Sequence, residues 1–421
     1  MTLCPAIVYS NAAKFPALCD PAYALSYHNM NCNSHTSPPL AGLMVLDLSR
    51  VLAGPYCSMI LGDLGADVIK VEHPLGDDTR RWGPPFIGGE SAYFLAINRN
   101  KRSVAADLKS SHGRELVRRI ALRTDILVEN FKPGTLERMG LGLAELRALN
   151  PRLVTLTISG TGTTGPDNTL NAYDFVVQAS GGLMSLTGPQ DGPPCKAGVP
   201  IVDLTTGMMA ANAILAALYA RERNGRGQHI DISLLETQVA WLANIGSAYL
   251  ATGEAPRRMG NAHPSIAPYE LFAASDGDFA LAVGNDLQWQ RLCCVIGLPE
   301  LIMDVRFKEN AERVRHRSEL AALLNSHFAR KPVSQWVELI GAAEIPISAV
   351  RTIPEVLNDP AIRARGMVVS VKHPTIGDLQ LLGIPFKFSE TPATIRRPPP
   401  LLGEHSAEIE NEFPAENSNL I

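Results

Sequence analysis

From Leu43 onward, short apolar runs alternate with stretches of helical periodicity along the chain. Short runs rich in Val, Ile and Leu are typical of strands that are buried on both faces of a sheet. The predicted strands are 44–48, 67–72, 125–128, 153–159 and 228–232, and the predicted helices among them are 54–65, 110–123 and 143–149. Strands that alternate with helices in this way pair in parallel through right-handed crossovers. The pattern therefore predicts an α/β fold with a Rossmann-like, doubly wound parallel sheet.

A long apolar stretch after Asp203 predicts a helix that ends near Arg223, just before Gly225. Within it, the apolar run Gly207–Ala220 is shorter than the roughly 20 residues that span a bilayer. We therefore expect a buried core helix and no membrane partner. The pattern predicts one further helix at 234–250.

Proline and glycine residues interrupt the segment 253–268, which marks a candidate domain boundary. The predicted strand 279–283 and the predicted helices 287–296, 317–328 and 333–341 follow that boundary. These elements indicate a smaller α+β domain at 255–350, whereas residues 40–250 and 365–421 are assigned to the large α/β domain. Residues 1–39 are rich in Ser, Asn and Pro, so we expect a poorly ordered extension there.

Charge and cysteine content exclude several classes of protein. The formal net charge of −4 gives no basic excess of the kind that nucleic-acid partners require. The seven cysteines form no CxxC pair, which argues against a zinc site or a disulfide framework and fits a reducing compartment. The first 39 residues are poor in acids but contain no arginine, which is a weak targeting signal. A mitochondrial and a cytoplasmic location therefore both stay open.

Residues Gly160–Gly165 match the glycine pattern of dinucleotide-binding loops and follow a predicted strand. Such a site needs a helix that opens at the glycines and an acidic residue about 20 positions further on. The segment 166–168 predicts a turn instead, and no Asp or Glu lies between Ser180 and Thr187. The sequence therefore argues against a dehydrogenase.

A series of sequence blocks in fixed order resembles the family III CoA-transferases, the group that includes formyl-CoA and carnitine CoA-transferases. Together the blocks cover residues 40–405. The blocks are Val45–Pro55, Leu64–Glu72, Gly76–Arg80, Asn98–Ser103, Val128–Gly134, Ser159–Pro166, Gly383–Phe386 and Pro400–His405. The resemblance implies a CoA-binding α/β domain, a CoA thioester as substrate, and no permanently bound cofactor or metal.

The stretches Arg50–Pro55, Trp82–Phe86 and Ala262–Tyr269 are most similar to one branch of this family. That branch moves CoA from succinyl-CoA to glutarate or related dicarboxylates, and itaconate CoA-transferases look similar. Family members form dimers whose two chains interlock, so the resemblance implies an interlocked homodimer. It also slightly favours the mitochondrion as the location.

The resemblance assigns the family's catalytic aspartate to Asp203, within Gly198–Leu204. A carboxylate that attacks a thioester forms a mixed anhydride and releases CoA thiolate, which then attacks the aspartyl carbonyl. A position just before a helix favours the ionised carboxylate, because the positive end of the helix dipole lies there. The structural alternative is that Asp203 serves as a helix N-cap, a position that Asp often occupies.

By resemblance, the residues that bind CoA are Arg50, Ala53, His73, Ala106, Lys109, Asn130, Phe131 and Arg138. Lys109 and Arg138 are expected to hold the nucleotide portion, since phosphate groups need cations and N–H donors. Ala53 and Ala106 correspond to positions where the family packs its backbone against CoA. His73 stands where some members carry arginine, so a weaker contact is expected there.

The acid substrates are expected to contact Arg80, Asp174, Lys196, Gly260 and His263. Arg50, Arg80 and Lys196 are all candidates for the distal carboxylate of a dicarboxylic acid, which needs a cation or several donors. The family's glycine-rich loop corresponds to Met259–His263, which has the single glycine Gly260. His263 is either a ligand of the acceptor carboxylate or a loop histidine without a role.

Two other functions compete with CoA transfer. The related α-methylacyl-CoA racemases carry His-Asp where this chain has Tyr173-Asp174. A racemase needs two bases to remove and return a proton, so the missing histidine favours transfer, and Asp174 is expected to shape the acid pocket. A non-catalytic acyl-CoA-binding protein is the second alternative.

Overall fold

A computed structural model describes residues 37–164 and 172–415, so most of the predicted N-terminal extension lies outside the described residues. The described strands are β1 (Met44–Asp47), β2 (Asp67–Glu72), β3 (Phe86–Ile87), β4 (Glu90–Ser91), β5 (Lys101–Ala105), β6 (Ile126–Glu129), β7 (Val154–Ser159), β8 (His229–Ser233), β9 (Tyr269–Ala273), β10 (Asp278–Ala282), β11 (Ile347–Ala349), β12 (Val368–His373) and β13 (Gly377–Leu382).

The described α-helices are α1 (Ala53–Asp63), α2 (Ala92–Ile97), α3 (Ser111–Arg123), α4 (Thr135–Arg138), α5 (Leu143–Leu149), α6 (Asp174–Ser180), α7 (Leu183–Leu186), α8 (Ile201–Asn224), α9 (Leu234–Ala240), α10 (Ala243–Thr252), α11 (Asp286–Ile296), α12 (Asn310–Arg315), α13 (Arg317–Phe328), α14 (Val333–Gly341), α15 (Ile353–Leu357), α16 (Pro360–Ala364) and α17 (Ser406–Glu412). Short 3₁₀ helices occur at Asp78–Arg81 and Pro299–Ile302.

The predicted parallel sheet is confirmed. Within the described residues, six strands pair in the order β5-β2-β1-β6-β7-β8, and all neighbours are parallel. The order reverses direction between β1 and β6, which is where open α/β sheets bind ligands beyond the carboxyl ends of their strands. The segments 48–52 and 130–134 leave β1 and β6 at this point and border the crevice.

Successive side chains of the central strands pack into two separate cores, one on each face of the sheet. Val45 contributes to the core that contains residues of α1 and α8, whereas Leu46 contributes to the core that contains residues of α3 and α5. This alternation follows from the two-residue period of a strand. Ile409 of α17 belongs to the second core, so the C-terminal segment returns to the large sheet.

The long helix α8 begins at Ile201, two residues before Asp203, so its predicted start after Asp203 is wrong. It has the length and apolar composition to span a membrane, but half of its apolar window is buried inside the protein. Gly207 lets α8 approach α1 closely, because a Cβ there would lie 2.7 Å from the backbone oxygen of Ala53. The start of α1 and the second turn of α8 are therefore neighbours.

The single helix predicted at 234–250 is also wrong. The structure has two helices, α9 and α10, separated at Trp241–Leu242. Ala243 adopts a positive φ of 39°, which interrupts regular helical geometry at the start of α10.

The expected smaller α+β unit is confirmed by the antiparallel sheet β11-β10-β9 and the helices α11–α14. Its core includes the buried aromatic side chains Phe279, Trp289, Phe328 and Trp336. The hairpin β12-β13 follows and packs Leu379 and Leu381 against Leu95 of α2.

Candidate active site

Asp203 lies in the first turn of α8, where 8% of its surface is exposed. Among the described residues, no side chain donates a hydrogen bond to its carboxylate or forms an ion pair with it. The residue lines a cavity of about 320 Å³, together with Ala53, Phe131 and Tyr173. A buried carboxylate without a protein partner beside a cavity is available to react with a bound molecule.

Asp174 caps the start of α8 from a neighbouring helix. Its Oδ2 accepts hydrogen bonds from the backbone N–H groups of Val202 (2.7 Å) and Asp203 (3.3 Å), and its Oδ1 accepts one from Gln178 Nε2 (2.5 Å). Pro200 is the N-cap residue and makes no side-chain cap bond. The alternative of Asp203 as an N-cap is therefore wrong, because Asp174 already satisfies these helix donors.

Burial and the negative charge of Asp174 together raise the pKa of Asp203 to about 7. Loss of hydration and this neighbouring charge act against the helix dipole, which favours the ionised form. The environment thus moves the pKa of Asp203 from the usual range of a carboxyl group towards neutral pH.

Tyr93 is a neighbour of this site that the sequence did not indicate. Burial and the negative charges of Asp203 and Asp174 raise the pKa of its hydroxyl above the usual value, so the phenol stays neutral. Its ring packs edge-to-face on Trp82, with 5.1 Å between the ring centroids. A neutral hydroxyl beside two carboxylates can act as a hydrogen-bond donor.

Asn130 binds the backbone of the turn that follows β1. Its Oδ1 accepts from the N–H of Arg50 (3.0 Å), and its Nδ2 donates to the Arg50 carbonyl (2.8 Å). The Arg50 guanidinium is largely exposed and lies 3.5 Å from Asp78 Oδ2. Asn130 therefore shapes the crevice, while the Arg50 side chain is presented at its rim.

A second cavity, of about 400 Å³, adjoins the first. It is lined by five of the residues predicted to bind CoA: Arg50, His73, Ala106, Lys109 and Phe131. Arg50, Asp78 and Phe131 line both cavities, so the two spaces form one cleft that leads to Asp203. Such a cleft can hold an extended molecule with charged groups at one end and a reacting group at the other.

Comparison with known proteins supports one family. The sequence model of CoA-transferase family III matches residues 40–406. The chain belongs to CoA-transferase family III. It is 44% identical to the succinate–glutarate CoA-transferase of Agrobacterium fabrum over 379 residues, covering 88% of this chain and 95% of that protein.

Two further comparisons agree with this assignment. The chain is 42% identical to the succinyl-CoA:glutarate CoA-transferase of Mus musculus over 375 residues, covering 89% of this chain and 86% of that protein. The crystal structure of a CAIB/BAIF family protein from Brucella suis superposes with a TM-score of 0.81 at 44% identity, covering 90% of this chain and all of that one. The protein is therefore a family III CoA-transferase that acts on CoA thioesters.

Some residues predicted for this CoA-transferase have other partners. Arg80 is partly buried and donates to both carboxylate oxygens of Glu72, each at 2.7 Å, and it lies 3.3 Å from Glu90. These contacts, with a further hydrogen bond to the Pro400 carbonyl, use four of the five N–H donors of Arg80. This arrangement does not favour contact with a distal carboxylate, and that role of Arg80 stays a prediction. Exposed Lys196 donates to the carbonyl of Ala197, and Arg138 donates to Thr135 Oγ1.

The loop with Gly260 and His263 does not line the cavity of Asp203 within a single chain. His263 instead stacks on Tyr269, with 5.1 Å between the ring centroids, and its Nδ1 accepts from the N–H of Ser265. Gly260 adopts a φ of +60°, which suits glycine in a tight turn. Their predicted contact with the acid substrate stays a prediction.

Two cations that the sequence reasoning missed line this CoA-transferase cleft. Lys132 lines the same cavity as Asp203, is exposed, and forms no ion pair within the described part of the chain. Arg81 lines the second cavity and pairs with Asp78 at 2.9 Å. Lys132 lies inside the family block Val128–Gly134, so the family resemblance could have identified it as a candidate site residue.

Transfer should depend on pH through the ionisation of Asp203. Asp203 is the expected nucleophile, and a carboxyl group can attack a thioester only in its ionised form, so we predict that kcat/KM falls as the pH drops through about 7. In Asp174→Asn, removal of the neighbouring charge should lower the pKa of Asp203. The fall in kcat/KM should then occur roughly one pH unit lower than in the wild type. Profiles of kcat/KM against pH, with exposed Asp191→Asn as the control, measure the effect. Superimposable profiles for Asp174→Asn and wild type would contradict it.

Proposed function

We propose that the protein transfers CoA from succinyl-CoA to a small dicarboxylate such as glutarate or itaconate, with Asp203 as the nucleophile. The observation that carries this proposal is the partner-free, buried carboxylate of Asp203 at the inner end of the cleft. The names of the two CoA-transferase relatives support succinyl-CoA as the donor and glutarate as an acceptor.

In the first half-reaction, the Asp203 carboxylate attacks the thioester carbonyl, the C–S bond breaks, and CoA leaves as a thiolate. The thiolate then attacks the aspartyl carbonyl of the mixed anhydride and releases succinate. In the second half-reaction, the acceptor carboxylate attacks the aspartyl thioester, the C–S bond breaks, and a new mixed anhydride forms as CoA leaves as a thiolate. The thiolate then attacks the acceptor's acyl carbonyl in that anhydride, which gives the new acyl-CoA and releases the Asp203 carboxylate. Every step exchanges one acyl bond for another, so no further reactant is needed.

The cations of the second cavity support CoA as the ligand of the cleft. Lys109 and Arg81 are exposed at this cavity together with His73 and Arg50. These groups provide the charge that phosphates require, while Ala106 and Phe131 offer apolar contact for the rest of the molecule. Phe131 lines both cavities, so the pantetheine arm of CoA can extend past it from the second cavity towards Asp203.

A dicarboxylate acceptor is supported by the cations beside the nucleophile. Arg50 and Lys132 line the cavity of Asp203, whereas Arg80 and Lys196 do not. One carboxylate of the acceptor must reach the acylated Asp203, so the second carboxylate can pair with Lys132 or Arg50 at the cavity rim. A monocarboxylate of similar size would lack this pairing.

The test is incubation of the purified protein with succinyl-CoA and a panel of acids, followed by mass spectrometry of the acyl-CoA products. We expect a new acyl-CoA and an equal amount of succinate, with dicarboxylates preferred over monocarboxylates of equal length. Solvent deuterium at the α-carbon without exchange of acids would instead indicate a racemase. Binding of succinyl-CoA without any product would indicate a binding protein.

We also propose that two copies of the chain associate. No residue of α10 is buried, and its apolar side chains Leu250 and Tyr249 are 85% and 49% exposed. The helix α8 also exposes Met208 and Met209. Apolar surface of this extent is typical of an interface. Light scattering should give about twice the chain mass, and a value of 45.4 kDa would contradict the proposal.

A further inference from the structure

The turn between β1 and α1 contains a backbone conformation that its sequence does not favour. Val51 adopts a φ of +71°, in the left-handed region. A β-branched residue is seldom found there, and the other described non-glycine residues with positive φ are Asn100, Ala243 and Glu344. The turn therefore needs external contacts to keep this conformation.

Three polar side chains hold consecutive backbone groups of this turn. Lys70 Nζ donates to the carbonyl of Ser49 (2.9 Å), and the amide of Asn130 bonds both the N–H and the carbonyl of Arg50. Both carboxylate oxygens of Asp77 accept from the N–H of Val51, at 3.3 Å each. The strained residue is thus held directly by Asp77.

Asp77 and Lys70 form a buried ion pair under the turn. Their distance is 3.0 Å, and their side chains are 1% and 0% exposed. Asp77 also accepts from the backbone N–H and the hydroxyl of Thr79, which fixes the direction of its carboxylate. A carboxylate that is buried and bonded on several sides gives the Val51 N–H a rigid acceptor.

The turn leads directly into α1, whose first backbone donors face no acceptor. Within residues 37–164 and 172–415, the N–H groups of Leu52, Ala53 and Gly54 make no hydrogen bond. Leu52 and Ala53 line the same cavity as Asp203, which is 8% exposed and has no side-chain partner. Gly207, one helical turn after Asp203, lies against the Ala53 carbonyl, so the start of α1 packs on the part of α8 that carries Asp203.

We propose that Asp77 is a positioning residue for CoA transfer. Through the Val51 turn, it holds the free N–H groups at the start of α1 against the carbonyl that Asp203 attacks. Negative charge develops on that carbonyl oxygen as the C–O bond to Asp203 forms, and preorganised N–H donors stabilise it. This inference rests on the proposed transfer reaction. It adds that Asp77 orients the backbone N–H donors that stabilise the transition state of that reaction.

The first test is Asp77→Asn, which keeps the size of the side chain but removes the charge that pairs with Lys70. We expect kcat to fall about 100-fold, with the KM for succinyl-CoA changed less than about threefold, because the donors act on the transition state. The matched control is Asp63→Asn, at the other end of α1, where a buried aspartate pairs with Arg99 at 2.6 Å. This control should keep kcat within about threefold of wild type, even if its unfolding temperature falls.

The second test separates positioning from a general loss of stability. Glycine adopts a positive φ without the penalty of valine, so Val51→Gly in the Asp77→Asn background should raise kcat at least about tenfold. A purely structural role for Asp77 predicts no such rescue. The inference is overturned if the double variant is no faster than Asp77→Asn, or if Asp77→Asn loses activity only in proportion to the unfolded fraction.

The same assay distinguishes this inference from the proposed function. A wild-type protein that forms no new acyl-CoA would overturn the transfer reaction, and the positioning role with it. An active wild type accompanied by an Asp77→Asn variant of unchanged kcat would overturn the positioning role alone.

Discussion

Replacement of Asp203 by asparagine is expected to lower kcat for CoA transfer by at least about 10⁴-fold, since the loss of a covalent nucleophile removes the reaction path. The amide of asparagine has nearly the same shape as the carboxyl group, but it is not nucleophilic enough to attack a thioester. Binding of CoA should persist, because the cations that line the second cavity are untouched. Single-turnover kinetics with succinyl-CoA, together with a CoA-binding measurement, separate the two effects.

The stability of the same variant provides its control. The folded-state pKa of Asp203 is about 7, above the value of 3.8 for an aspartate side chain in water, so the ionised form costs folding free energy. That cost grows as the pH rises from about 4 to 7 and is complete above pH 7, where it is on the order of 4 kcal/mol. Asp203→Asn should therefore be more stable than wild type at pH 8 and nearly equal to it at pH 4. An inactive variant that is also less stable at pH 8 would point to misfolding.

Lys101→Met is expected to destabilise the protein by about 3–5 kcal/mol, because it leaves a buried charge without its partner. Lys101 is fully buried in β5, 3.2 Å from Asp47 Oδ2, and also donates to the Pro55 carbonyl (2.7 Å) and to Asn98 Oδ1 (2.9 Å). Methionine is similar in length but supplies no donor, so all three acceptors lose a hydrogen bond.

Denaturant unfolding of Lys101→Met measures this cost. The matched control is Lys372→Met, which removes an exposed lysine paired with Asp378 at 2.7 Å and should change stability by less than about 1 kcal/mol. A cost below about 1 kcal/mol for Lys101→Met as well would contradict the role given to the buried network.

The buried charges of this network also explain where sequence reasoning failed in the fold. Predicted strand 67–72 and predicted helix 143–149 coincide with β2 and α5, since their apolar patterns are local. Strand β5 begins Lys101-Arg102-Ser103, so no apolar run marks it. It joins the sheet through its parallel ladder with β2, and the charge of Lys101 is paired with Asp47 of β1, which is distant in sequence. Spacing along one segment does not contain that information.

The site shows the same limit. The family resemblance, and not the apolar pattern, assigned Asp203 and the five residues that line the second cavity. The start of α8 and the pKa of Asp203 depend on Asp174, which belongs to a different helix. Likewise, the sequence does not show that Arg80 pairs with Glu72 and Glu90, because only the fold brings these three side chains together.

The most direct measurement is hydroxylamine trapping during turnover with succinyl-CoA, followed by peptide mass spectrometry. Hydroxylamine converts an aspartyl anhydride or an aspartyl thioester into a stable hydroxamate. We predict a hydroxamate on Asp203 in the wild type, and none in protein incubated without succinyl-CoA. An actively transferring protein that never carries this modification at Asp203 would contradict covalent catalysis by this residue.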